Sequence, residues 1–261
     1  MHPHRIDLVT RARCAFSGSI VALLSACGTL GSARMLSPGS FGMDEVNAKL
    51  YVEPAMGVEQ RQDLQRQIGI GRAQVEHFYG DITTAPCFVA CVTAECALRF
   101  GSYGERAAAF GASAIRLSRN GLAAALVAHE WSHVELYQRV GGWPRVAQIP
   151  RWFDEGVAVA VAGEARHSEA NWREIQSRGI PAPALTELVS RSDWNAALIK
   201  YGETRPEDPG NLRAVYSAAG HEVRHWLACA GPAGTAALLT AVSEGAAFDS
   251  AYRRIGGSCA L

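Results

Sequence analysis

The stretch "LVAHEWSHVEL", residues 126–136, must be helical if the two histidines of its His-Glu-x-x-His pentad are to act together. On an α-helix, residues i and i+4 stand one turn apart and roughly 40° apart about the axis, so two imidazoles can address one point. A strand or loop gives no such guarantee. The glutamate at i+1 then stands beside that point, where it can take a proton from a water held there. The pentad occurs twice, as His129-Glu130-x-x-His133 and as His221-Glu222-x-x-His225, and the two copies use four of the 8 histidines. A catalytic metal site of this kind needs one more protein ligand and an open position. The residues downstream of each pentad therefore decide between the two.

The first pentad is preceded by the apolar run "GLAAALVA", suited to a buried helix, and carries uncharged Trp131 and Ser132 between its histidines. Glu155 follows His133 by 22 residues, in "IPRWFDEGVAVAVAG". Pro150 can open a new helix there. Trp152 and Phe153 supply bulk to pack that helix on the first, and Gly156 and Ala158 permit close approach of the two. A His-Glu-x-x-His helix followed by "WFDEGVA" on the next helix resembles the gluzincin metallopeptidases, and among them the bacterial peptidase-MA-type domains. The resemblance spans residues 85–257, with its specific motifs confined to 126–158. It implies a Zn2+ ion held by His129, His133 and Glu155, with Glu130 as general base in the hydrolysis of a peptide or protein substrate. It also implies a tyrosine at the start of a later helix as an oxyanion donor, and Tyr216 stands there. The alternative for Tyr216 is a core tyrosine with a satisfied hydroxyl.

The chain departs from the family pattern in three places. Glu135 occupies a usually apolar position, so the end of the helix is either more exposed or salt-bridged to Arg139. The gap from His133 to Glu155 exceeds the aminopeptidase spacing, and "GGWPRV" accommodates the excess. The strand "FGASAIRLS" has no glutamate to hold a free amino terminus, so aminopeptidase activity is not supported. Against the second pentad, Arg224 sets a cation between its histidines, "CAGPAG" breaks the helix directly after it, and no aromatic residue precedes Glu244. His221 and His225 are therefore expected on an ordinary packing helix. Asp154 reads as an acidic residue favoured at a helix N-terminus in preference to a partner orienting a histidine. His167 reads as a solvent-exposed loop residue. A catalytically idle, zinc-binding scaffold is the alternative to the enzyme.

At the N-terminus, Arg5, Arg11 and Arg13 precede the apolar segment "AFSGSIVALLSA", which is too short to span a bilayer as a helix. Leu24-Ser25-Ala26-Cys27 resembles a bacterial lipobox, which implies a signal peptide over 1–26 and a lipidated Cys27. Gly28 in place of aspartate favours the outer membrane, facing the periplasm. The Gly- and Ser-rich segment 27–45 reads as a flexible tether, and 46–261 as the metallopeptidase-like domain. Export places the remaining cysteines in an oxidising compartment. Cys87 and Cys91 would lie about 13 Å apart along a strand, too far to bridge. Cys91 with Cys96, across "VTAE", is the plausible pairing, and Cys229 with Cys259 is a second.

Lys plus Arg and Asp plus Glu both number 25, so no basic field argues for nucleic acid. Strand patterns at "AKLYVEP", "PCFVACV" and "AAFGASAIRLS" surround a predicted helix over 58–79 and a short one over 94–100. From Leu122 the pattern is nearly all helical, interrupted at "GGWP", "IPAP" and "RPEDPGN". The expected fold class is α+β: a small sheet lobe followed by a mostly helical lobe, with the pentad helix between them.

Overall fold

Short strands alternate their side chains between two sides of one sheet, and that alternation builds two cores of unequal size. A computed structural model describes residues 34–202 and 213–260. Its strands are β1 (Asp44–Asn47), β2 (Leu50–Val52), β3 (Cys87–Ala90), β4 (Ala107–Phe110) and β5 (Ala114–Leu117), in the order β1-β2-β3-β5-β4. The three central strands are parallel, and β1 and β4 are antiparallel edges. Leu50, Val52, Phe88, Ala90, Ile115 and Leu117 join the larger core. Tyr51, Cys87, Val89, Cys91 and Ala114 join the smaller one.

Helix α1 (Val58–Tyr79) connects the parallel pair β2 and β3 and has the bounds expected from its apolar spacing. It packs on α3 (Ala124–Arg139), the helix of the first pentad. Gly71 makes the approach possible, since a Cβ there would lie 2.6 Å from Val127 Cγ1. Helix α2 (Ala94–Arg99) covers the opposite side of the sheet, contributing Cys96 and Ala97 to the smaller core. The remaining helices are α4 (Arg151–Ala162), α5 (Glu169–Ser177), α6 (Arg191–Lys200), α7 (Ala214–Ala230), α8 (Gly234–Ser243) and α9 (Phe248–Gly256). The fold is thus mixed, a small five-stranded sheet with several helices. The helices do not all follow the sheet, because α1 and α2 lie between strands.

Four expectations need correction. "AAFGASAIRLS" is not one strand but the hairpin β4–β5, turned at Gly111, whose φ of 55° suits glycine. Within the expected tether, Met35 and Met43 are buried in the smaller core, because β1 begins at Asp44 and the residues before it cap the sheet. The rings of Trp152 and Phe153 do not face α3 alone; they meet Phe248, Tyr252 and, for Phe153, Trp226. Gly156 opens the approach to α7, where an added Cβ would lie 2.4 Å from the Ala219 carbonyl oxygen. Gly220 answers it across the seam, with Val159 Cγ1 2.4 Å from its own would-be Cβ. Residues 1–33, which include the signal segment and Cys27, and the "RPEDPGN" break lie outside the described residues.

Both expected disulfides form. Cys91–Cys96 ties the end of β3 to α2, and Cys229–Cys259 ties α7 to the end of the chain, with Cα separations of 5.5 and 5.9 Å. Glu135 is fully buried and salt-bridged to Arg139, so of the two readings of that position the exposed one fails. Its carboxylate also accepts from the backbone N–H and hydroxyl groups of Thr83 and Thr84. These donors fasten the segment entering β3 to the pentad helix.

Candidate metal centre

Two helices bring the predicted ligands together. His129 and His133 project from one side of α3, and Glu155 comes from the second turn of α4. Glu155 Oε2 lies 3.2 Å from His129 Nε2 and 3.7 Å from His133 Nε2. One donor atom from each residue lies within 4.8 Å of the others. These three side chains are positioned to bind one metal ion. The site is deep, with His129 7% and Glu155 3% exposed, so a charged group there requires compensation from its neighbours.

Asp154 supplies part of it. Its Oδ1 accepts from His133 Nδ1 at 2.6 Å, which leaves Nε2 of that ring turned toward Glu155. Asp154, expected to serve the helix end, also fixes the orientation of an imidazole in the candidate donor set. Arg151, in the first turn of α4, donates to Asp154 Oδ2 at 2.5 Å and to Glu155 Oε1. Burial would raise both carboxyl groups, but His133 and Arg151 outweigh it and hold Asp154 and Glu155 below their ordinary values. Burial would lower the His133 imidazole, yet the two carboxylates push it up to about 9.

Glu130 is buried beside the ligands, at 8% exposure, and its carboxylate makes no hydrogen bond or ion pair with the described residues. Tyr216, near the start of α7, places its ring centroid 6.2 Å from that of His129. His167 corrects its expectation as an exposed loop residue. It is 3% exposed and stacks on Tyr216 at 5.0 Å, while Trp194 meets the same tyrosine edge-on. Burial first, then the charges of His129, Arg106 and Arg213, push the His167 imidazole down to about 3. Its sequence neighbourhood carried no signal of this, because the covering residues come from helices far along the chain. Arg151 did leave a signal: its i+3 and i+4 neighbours are both acidic.

The second pentad builds no comparable site. His221 Nδ1 lies 3.0 Å from Glu169, and its ring stacks on Trp172. His225 is exposed, and Glu222 turns into the core, where it accepts from Tyr252 Oη at 2.6 Å. Among the described residues a further trio of donors gathers at Glu53, Cys91 and Cys96, but its two sulfurs are joined to each other. A cavity of about 620 Å³ beyond the ends of β3 and β5, bounded in part by Thr93, Glu105 and Arg106, includes none of the three metal donors. Compared with protein-family models, curated proteins and solved structures, the chain finds no match.

Proposed function

We propose that this protein is a zinc-dependent peptide hydrolase of the gluzincin type, with α3 as its active-site helix. The observation that carries the reading is the convergence of His129, His133 and Glu155, with the buried carboxylate of Glu130 next to His129 in the chain. Two imidazoles and one carboxylate are a donor set that catalytic zinc uses. Bonds of roughly 2.0–2.1 Å arranged tetrahedrally set ligand atoms about 3.3 Å apart. The separations of 3.2 and 3.7 Å lie close to that. When bound, zinc would polarise a substrate carbonyl and lower the pKa of water toward about 7.

The chain's own groups supply the rest. Glu130 accepts a proton from the attacking water and delivers it to the leaving amine. His133 is oriented by Asp154, and Glu155 by Arg151. On this reading Tyr216, whose ring centroid lies 6.2 Å from that of His129, would offer its hydroxyl to the oxygen that gains charge in the transition state. On the lipobox reading, Cys27 is acylated and the enzyme works at the envelope, anchored in a bilayer. Acylation would be read by labelling with a fatty acid, and Cys27→Ala abolishes it on this reading.

Replacing Glu130 by Gln tests the mechanism. The variant retains its zinc and loses chelator-sensitive cleavage of a diverse peptide library. Turnover equal to wild type would refute Glu130 as the base, and no cleavage by the zinc-loaded wild type would favour the idle scaffold.

A further inference from the structure

Arg151 does more than offset the charge of the two buried carboxylates, because it contacts each through a separate arm. One guanidinium nitrogen donates to Asp154 Oδ2 at 2.5 Å and the other to Glu155 Oε1. The opposite oxygens of the same two carboxylates face the histidines: Asp154 Oδ1 stands 2.6 Å from His133 Nδ1, and Glu155 Oε2 3.2 Å from His129 Nε2. Arg151 is one-third exposed, while the Asp154 and Glu155 side chains are 12% and 4% exposed. Spacings of three and four residues along α4 set all three groups on one face of the helix.

A carboxylate can offer a metal one oxygen or both. Oε1 of Glu155 faces Arg151, and Oε2 is the oxygen that faces the histidines. A planar guanidinium with two parallel N–H arms can hold two carboxylates at a set separation and tilt; an ammonium group is a single point charge and cannot. We propose that Arg151 is a positioning residue that limits Glu155 to one-oxygen ligation and joins it in a fixed frame to the aspartate that orients His133. This rests on the metal-site reading above, and it adds to that reading a determinant of coordination number.

Metal affinity alone is a poor measure of this role. Removing a cation beside the ion strengthens the attraction of the carboxylates for it. Freeing those carboxylates at the same time costs preorganisation. The two effects oppose each other, whereas coordination number responds to the geometry.

The test uses cobalt(II) as the probe, because its visible absorption is intense in four-coordinate sites and several-fold weaker at higher coordination. Wild type, Arg151→Met and Arg151→Lys are each loaded with one equivalent. The expected result is an intense four-coordinate spectrum for wild type and the weaker bands of a higher-coordinate ion for both variants. The lysine variant keeps the charge and still fails, because it cannot span the two carboxylates. Should Arg151→Met fail to fold, Arg151→Lys carries the test. A wild-type spectrum in Arg151→Lys, or a higher-coordinate spectrum in wild type, overturns the proposal while leaving the metal site intact. Wild type that binds neither cobalt nor zinc overturns the metal-site reading itself.

Discussion

Asp154 and His133 meet across the α3–α4 seam at 2.6 Å, through Oδ1 and Nδ1, while the next residue along α4, Glu155, faces the other nitrogen of the same ring. Adjacent acidic residues on one helix thus address both sides of a single imidazole. One sets its tautomer and tilt, and the other is positioned to share a metal with it.

Loss of Asp154 should weaken metal binding without removing a ligand. For Asp154→Ala, apparent zinc affinity is expected to fall about 10- to 100-fold, the usual effect of deleting a partner behind a ligating histidine. Competition with a chromophoric chelator measures it. Unchanged affinity would return Asp154 to a role at the helix end.

Metal uptake should depend steeply on pH. Without metal, His133 holds its proton up to about pH 9, because Asp154 and Glu155 outweigh the effect of burial. An ion must displace that proton, so apparent affinity falls about tenfold per pH unit below 9. The folded value lies above the unfolded one of about 6.5, so in the metal-free protein this contribution to stability is complete below about pH 6.5 and is lost as pH rises to about 9. Chelator competition at pH 6, 7 and 8, with melting of the metal-free protein over the same range, checks both signs. An affinity flat with pH would contradict the assignment.

The two pentads should respond differently to truncation. His133→Ala loses its ion on desalting, whereas His225→Ala retains one equivalent by elemental analysis, since His225 belongs to no donor cluster among the described residues. The reverse pattern would move the centre to α7.

Adding one methyl group at Gly156 should disturb the centre from behind. An alanine Cβ would press on the Ala219 carbonyl at 2.4 Å. Overpacking of this kind costs about 1–3 kcal/mol. It forces α4 and α7 apart, and these helices carry Glu155 and Tyr216. A denaturation midpoint equal to wild type would show that the seam yields freely.

What the sequence disclosed was mostly local. Helix α1 was legible to its ends because its apolar residues recur at helical spacing, and Cys91–Cys96 because a short turn brings strand end to helix start. The three metal donors were legible because two lie one turn apart and the third stands in a motif of its own. What stayed hidden depended on packing between distant segments. The hairpin at Gly111 was masked by a run of small residues on both sides of the turn. His167 is buried by Tyr216 of α7, 49 positions onward in the chain. The seam partner of Gly156 likewise lies on α7, and no local pattern names it.

The buried Glu135 carries a practical consequence for anyone handling the protein. Residues 81–86 have no regular secondary structure and would ordinarily be chosen for an epitope tag or a cleavage sequence. Yet Thr83 and Thr84 spend both their amides and both their hydroxyls on that one carboxylate. An insertion or nick there would strip those donors from a buried carboxylate on the histidine-bearing helix itself and leave Arg139 as its remaining partner among the described residues. This stretch is irregular in shape but not expendable.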